Sequence, residues 1–154
     1  MNREAEIITA AQYLAAAGTA RHIIQALTDI RKEYWDDIYK RADKIIHRYG
    51  THWMRTEAAY TGDRALRLLI ELFSKSVLDR PLSLTDLVLA EQTYKIKYPS
   101  DEMSTNRIYY LIQSIRNGDA VVVERCKSCG HPFVVHRHDA VESKCNICKL
   151  LDIK

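Results

Sequence analysis

The chain has 154 residues, 47% hydrophobic and 28% charged, a composition typical of a globular protein with one main domain and a small appendage. No apolar run approaches the roughly eighteen residues that a membrane-spanning helix needs, and few Gly and Pro argue against long disordered linkers. Charges at Arg3, Glu4 and Glu6 replace the apolar core of a signal peptide, so we expect a cytoplasmic protein with no membrane partner.

The net charge of +3 is small, and its distribution along the chain is more informative than its size. Residues 31–67 carry nine basic and six acidic side chains, and residues 121–154 carry six and four. Positive charge therefore collects in two segments. Such an excess can serve phosphate contacts, although a solvated surface explains it equally well.

Apolar residues recur at helical spacing over most of the first 118 residues, which predicts a body of about six helices. The first helix is expected at residues 3–17, with a stop at Gly18. The second is expected to begin after a cap at Thr19, and the third to run from about residue 31 to 46. Residues 47–62 give no clear pattern.

Three further helices complete the predicted body. One has its apolar face between Ala65 and Val77, and one begins at the capping box Ser83-Leu84-Thr85-Asp86 and stops at Pro99. The last spans roughly 105–116 and ends at Asn117-Gly118. We therefore predict a helical domain over residues 1–118.

The second and third helices, at about residues 20–46, resemble a degenerate helix-turn-helix. Ile24, Ile30, Trp35 and Ile38 occupy the apolar positions that would lock two helices at a wide angle. Asp36 and Asp37 would repel phosphates from the second helix. DNA contact and an ordinary core packing both remain open for this pair.

All four cysteines lie in the last part of the chain, as two Cys-x-x-Cys pairs: Cys126 with Cys129, and Cys145 with Cys148. Fifteen residues separate the pairs, a spacing that fits a four-cysteine zinc site. Valines precede the first pair, Phe133-Val134-Val135 follows it, and Gly130 suits a left-handed turn. The pattern predicts a zinc-ribbon module over residues 119–154 with one structural Zn²⁺.

The four cysteines also have possible uses other than zinc binding. Two disulfides would need a secreted context, and a redox Cys-x-x-Cys would not normally be duplicated at this distance. An iron–sulfur cluster is a further possibility. Four thiolates close the coordination shell, so a catalytic zinc is disfavoured. His138 could replace a cysteine, but two complete pairs make that unnecessary, and His131, His136 and His138 suit the ribbon surface.

No Gly-rich phosphate loop, zinc-protease motif or nucleophile elbow occurs in the sequence, so we predict that the protein is not an enzyme. The basic side chains suggest phosphate contacts instead. The candidates for DNA binding are Arg31, Lys32, Lys40, Arg41 and Lys44 in the body, and Arg125, Lys127, Arg137, His138, Lys144 and Lys149 in the ribbon.

A helical body followed by C-x-x-C-G-x-x-F-x-x-H-x-H and a second C-x-x-C resembles the flagellar transcriptional activator FlhC family. The resemblance rests on Cys126, Cys129, Gly130, Phe133, His136, His138, Cys145 and Cys148. Gly18 followed by Ile38-Tyr39-Lys40 is similar to a second conserved segment of that family.

The resemblance implies a regulator that binds promoter DNA in a hetero-oligomer with an FlhD-like subunit and recruits RNA polymerase to flagellar operons. It also implies that the four cysteines are the zinc ligands. A protein-interaction adaptor, in which the ribbon and body dock onto a partner without touching DNA, is the alternative that the sequence leaves open.

Overall fold

A computed structural model describes residues 3–40, 58–139 and 143–151. Over these residues the protein is mainly helical, with seven α-helices and one two-stranded sheet, which confirms the predicted fold class of a helical body followed by a four-cysteine ribbon. The elements are α1 (Arg3–Ala16), α2 (Arg21–Leu27), α3 (Trp35–Tyr39), α4 (Ala59–Phe73), α5 (Leu84–Lys97), α6 (Thr105–Asn117), β1 (Ala120–Val123), β2 (Phe133–His136) and α7 (Asn146–Leu151).

The chain forms two compact units. One comprises Met1–Tyr49 with Pro81–Tyr109, and the other comprises Gly50–Arg80 with Tyr110–Lys154. This division differs from the predicted one at residue 118, because α4 packs against β2 and α7 and so belongs with the ribbon.

In the first unit, α1 packs against α3 and α5 around fully buried apolar side chains such as Leu14 and Ile24. Gly18 ends α1 with a φ of 96°, as predicted. The predicted cap at Thr19 is wrong, because the N-cap of α2 is Ala20 and makes no side-chain hydrogen bond. The Thr19 hydroxyl is instead buried against the hydroxyl of Thr105.

The predicted helix-turn-helix is described only as far as residue 40, and its residues 41–46 lie outside the described residues. The helix predicted from about residue 31 begins as a 3-10 turn at Lys32–Tyr34, which runs directly into the five residues of α3. Ile24, Trp35 and Ile38 are buried, as the prediction placed them. The guanidinium of Arg21 lies 4.6 Å from the centre of the Trp35 ring.

The capping box at the start of α5 is confirmed. The Ser83 hydroxyl accepts the Asp86 N–H at 3.0 Å, and the Asp86 carboxylate accepts the Ser83 N–H at 3.1 Å. Farther along α5, Glu91 is buried. Its carboxylate accepts the Tyr13 hydroxyl at 2.6 Å and lies 2.8 Å from the Lys95 ammonium, which offsets the cost of burying its charge.

The second unit is built on α4, which begins at Ala59 within the stretch that the sequence left undetermined. The predicted helix reaching Val77 is wrong at its C-terminal end, since α4 stops at Phe73 and Ser74 has a φ of 66°. Val77 is nevertheless buried, in a 3-10 turn over Lys75–Leu78 whose carbonyl groups accept hydrogen bonds from Arg116.

Strands β1 and β2 pair antiparallel, with Val123 opposite Phe133 and Ala120 opposite His136. The two predicted strand-like runs are thereby confirmed. All three residues Phe133, Val134 and Val135 are buried, so both faces of β2 are covered. Among the described residues, no helix is long and apolar enough to cross a bilayer.

Candidate metal centre

The four cysteines lie close together in the second unit. They are at the turn end of the β1–β2 hairpin, opposite the end where Ala120 pairs with His136. Their sulfur atoms all lie within 4.8 Å of one another. The Cys126 and Cys148 sulfurs are 3.8 Å apart, and so are those of Cys129 and Cys145. All four are free thiols, since a disulfide would need a separation of about 2.05 Å.

The first knuckle, Cys126-Lys127-Ser128-Cys129, is the turn between the two strands. The Gly130 N–H donates to the Cys126 carbonyl at 2.9 Å, and the Cys126 N–H donates to the His131 carbonyl at 2.9 Å. Gly130 has a φ of 74°, so the prediction of a left-handed residue after Cys129 is confirmed. The turn thus directs both of its sulfurs to one side.

The second knuckle, Cys145-Asn146-Ile147-Cys148, forms the start of α7. The Cys145 N–H donates to the Cys126 sulfur at 3.3 Å, and the Cys148 N–H donates to the Cys145 sulfur at 3.3 Å. The Ser128 N–H also donates to the Cys126 sulfur, at 3.4 Å, so this sulfur accepts hydrogen bonds from backbone groups of both knuckles. Such N–H donors stabilise the thiolate form.

The site is half enclosed. Cys126 and Cys145 are buried with Phe133 and Val135 in a small core, whereas Cys129 is exposed. The apolar side keeps water from one half of the sulfur cluster. A bound ion would therefore be held rigidly and still be reachable from the side of Cys129.

The pKa values of Cys126 and Cys148 are shifted in opposite directions. Burial raises the pKa of Cys126, but backbone N–H groups, foremost that of Cys145, outweigh burial and lower this pKa to about 6. Hydrogen bonding to Cys145, followed by burial, raises the pKa of Cys148 to about 12. Four thiolates this close repel one another, and a divalent cation supplies the charge that lets all of them ionise.

Within the part of the chain that the structure describes, one group of three or more potential ligands lies close enough together to share one ion, and it is the four cysteines. The His136 and His138 rings stack on each other with centroids 4.9 Å apart. They share one side as predicted, although β2 ends at His136 and His138 lies in the 3-10 turn Arg137–Asp139. Four cysteines can bind a metal ion without a histidine.

Two polar residues of α4 that the sequence did not single out contact the ribbon. Asp63 is fully buried and accepts hydrogen bonds from the N–H of Val134 and of Asn146. Burial raises the pKa of Asp63, and the N–H groups of Val134 and Asn146 oppose that rise. Arg67 donates to the Pro132 carbonyl and points to the Cys129 sulfur.

In the sequence this contact shows only as an acid and a base four residues apart on one predicted helix. Burial opposes the ionisation of Arg67, but the sulfurs of Cys145 and Cys129 outweigh it and raise the pKa of Arg67. The guanidinium of Arg67 is thus a fixed positive charge beside the sulfur cluster.

The basic candidates of the ribbon lie at both ends of the β1–β2 hairpin, Arg125 and Lys127 at the first knuckle and Arg137 and His138 just after β2. Arg125, Lys127, Arg137, His138 and Lys149 are exposed, and Lys144 is half-buried. Arg137 lies 3.8 Å from Asp119, a distance at which an exposed pair contributes little to stability. The ribbon therefore presents several cations to solvent, some at the first knuckle and some at the opposite end of the hairpin.

The basic candidates of the body belong to the other unit. Arg31 makes two hydrogen bonds to the Glu4 carboxylate, at 2.9 and 2.6 Å, which neutralises much of its charge. Lys32 and Lys40 are exposed, and the exposed Asp36 and Asp37 lie between them in the chain. Arg41 and Lys44 lie outside the described residues.

No protein-family model matches the chain, and no curated protein matches it in sequence.

Proposed function

We propose that this protein is a DNA-binding transcriptional regulator of the FlhC kind, whose ribbon is held together by one structural Zn²⁺ and which has no enzymatic activity. The observation that carries the proposal is the convergence of four cysteine sulfurs within 4.8 Å, in a ribbon whose described part exposes six basic or imidazole side chains.

Zinc is the ion that best fits the sulfur geometry. Zn–S bonds are about 2.3 Å, and a tetrahedron of that radius has edges of about 3.8 Å. Two of the sulfur–sulfur distances have this value. Cys126, Cys129, Cys145 and Cys148 would be the ligands, and Zn²⁺ would supply rigidity, because four thiolates leave no position for a reacting water.

The ribbon is the stronger of the two candidate DNA surfaces. Arg125, Lys127, Arg137, His138 and Lys149 are exposed, whereas Arg31 is paired with Glu4 and α3 carries two exposed aspartates. Phosphate contacts need cations that solvent can reach, and Asp119 lies 3.8 Å from Arg137, whereas Glu4 lies 2.6 Å from Arg31. The resemblance to the FlhC family adds promoter DNA, an FlhD-like subunit and RNA polymerase as proposed partners.

Salt-dependent binding to DNA tests the proposal. We expect the affinity for a 30-base-pair duplex to fall with a log–log slope of about −0.9 for each phosphate contact. Lys127→Gln with Arg137→Gln should weaken binding and reduce the slope by about two. Arg3→Gln with Lys97→Gln, which removes the same charge from exposed residues of the other unit that are not DNA-binding candidates, is the control. A flat salt response in the native protein would rule out the DNA proposal.

Protein docking is the second candidate, and exposed apolar side chains favour it. Ile96 on α5 is 81% exposed, and the adjacent Leu150 and Leu151 on α7 are 46% and 74% exposed, so these aliphatic side chains are available for contact with a partner. An adaptor would show no binding to duplex DNA at any salt concentration while retaining a stoichiometric protein partner. The DNA titration therefore separates the two functions.

A further inference from the structure

Helix α4 carries two charged side chains that reach the candidate metal centre, Asp63 and Arg67. They lie one helical turn apart and so project from the same face of the helix. Both belong to the same compact unit as the ribbon. Each makes hydrogen bonds to the ribbon that a helix packed only by apolar contacts would lack.

Asp63 connects strand β2 to the second knuckle. One carboxylate oxygen accepts the Val134 N–H at 3.0 Å, and the other accepts the Asn146 N–H at 2.8 Å and the Asn146 side-chain amide at 3.1 Å. Asn146 is flanked by Cys145 in the second knuckle. The buried carboxylate therefore fixes the distance between β2 and the residues that carry two of the sulfurs.

Arg67 contacts the first knuckle. Its Nε donates to the Pro132 carbonyl at 3.1 Å, and its Nη2 lies 3.4 Å from the Cys129 sulfur, within hydrogen-bond distance for sulfur. Cys129 is the exposed cysteine of the four, the one that the apolar core shields least. Four thiolates around a divalent cation leave excess negative charge, which a guanidinium donating to one sulfur offsets.

We propose that Asp63 and Arg67 are positioning residues of the metal site, so that helix α4 controls how tightly the ribbon retains its ion. This inference rests on the proposed binding of Zn²⁺ by the four cysteines. Arg67 stabilises the Cys129 thiolate on the open side of the site. Asp63 holds the second knuckle against strand β2, and Arg67 interacts with sulfurs of both knuckles.

The test measures the ion directly in the full-length protein. Zinc transfer to a colorimetric chelator should be at least about tenfold faster for Arg67→Gln and for Asp63→Asn than for the native protein. Arg67→Lys, which keeps the charge but loses the Nε bond to Pro132, should release zinc at an intermediate rate. Arg64→Gln removes an arginine of the same helix that lies over the Tyr60 ring, and should release zinc at the native rate.

Cobalt substitution supplies a readout that a purely structural role would not change. All variants that bind Co²⁺ should keep the absorption pattern of four sulfur ligands. In Arg67→Gln the sulfur-to-metal charge-transfer band should move to lower energy, because the Cys129 thiolate loses its N–H donor. An unmoved band together with native zinc release in Arg67→Gln and Asp63→Asn would overturn the inference.

The proposed site and this inference fail in different ways. A native protein that binds no stoichiometric zinc, or a Cys126→Ser variant that binds it as tightly as the native protein, would contradict the four-cysteine site itself. Tight native binding that Cys126→Ser abolishes, with the α4 variants indistinguishable from native, would contradict only the role of α4. Far-UV circular dichroism of each variant identifies any loss of helix. If Arg67→Gln loses helix, the zinc-release comparison is made with Arg67→Lys instead.

Discussion

The carboxylate of Asp63, fully buried in α4, accepts the backbone N–H of Asn146 at 2.8 Å, next to Cys145 in the second knuckle. The two residues are 83 positions apart in the chain. This hydrogen bond makes the ribbon part of a larger packed unit. In that unit α4, from the middle of the sequence, supports the second knuckle, which lies near the end of the sequence.

Replacing the Asp63 carboxylate by an amide should destabilise this unit. Asn can accept with only one of its two side-chain heteroatoms, so at least one of the N–H groups from Val134 and Asn146 would face a second donor. Leaving a buried donor unmet costs about 1–3 kcal/mol. Urea unfolding of Asp63→Asn should show this loss, and Asp79→Asn, an exposed acid in the same unit, should unfold like the native protein.

Removal of zinc should loosen the ribbon. Structural zinc contributes about 10–16 kcal/mol in small zinc-binding peptides, so Cys126→Ser or a strong chelator should remove much of the ordering free energy of both knuckles. Hydrogen exchange read by mass spectrometry should accelerate in peptides covering β1, β2 and α7. The amides of α1, in the other unit, serve as the internal reference. Unchanged protection of β2 after chelation would contradict a structural role for the ion.

The hydrogen bond between half-buried Tyr13 and buried Glu91 should contribute to the stability of the first unit. The Tyr13 hydroxyl donates to the Glu91 carboxylate at 2.6 Å, and hydrogen bonds to charged groups contribute about 1.5–3 kcal/mol. Tyr13→Phe should therefore lower the free energy of unfolding at pH 7. A double-mutant cycle with Glu91→Gln should give a coupling energy well above zero, and independent effects would show that the bond is not formed in solution.

The same pair predicts a dependence on alkaline pH. Burial, followed by the hydrogen bond to Glu91, raises the pKa of Tyr13 above its ordinary value of about 10. A raised pKa in the folded state means that the stabilisation is complete below pH 10 and is lost as the pH rises through the folded-state pKa. The difference in unfolding free energy between the native protein and Tyr13→Phe should thus shrink above pH 10, whereas a constant difference would contradict this assignment.

The capping box of α5 gives a local prediction. Ser83→Ala removes the acceptor for the Asp86 N–H and should cost about 1 kcal/mol of stability. Thr85→Ala changes an exposed residue in the first turn of the same helix and should be neutral or slightly stabilising, because Ala has the higher helix propensity. Thermal unfolding of the two variants measures the difference, and equal midpoints would show that the cap does not limit stability.

Some of the architecture could be predicted from the sequence because its causes lie within a few residues. The box from Ser83 to Asp86, the positive φ at Gly18 and Gly130, and the strands beside the first knuckle each follow from local chemistry. The clustering of the cysteines follows as well, since two Cys-x-x-Cys turns each bring two sulfurs together and a metal favours joining them.

Other features could not be read from local patterns. Apolar periodicity continued past Phe73 to Val77, yet Ser74 breaks the helix and Val77 is buried from a 3-10 turn instead. Thr19 has the chemistry of a helix cap, but its hydroxyl is buried against Thr105. In each case a tertiary contact outweighs the small free energy of a local preference.

By itself, the sequence determined the mainly helical class, the two knuckles and the identity of the four candidate ligands, because periodicity, turn chemistry and cysteine spacing act over short distances. Only the tertiary structure decided that α4 belongs with the ribbon, through Asp63 and Arg67. Contacts between residues 62 to 83 positions apart leave no spacing signal in the chain, since they depend on how whole elements pack.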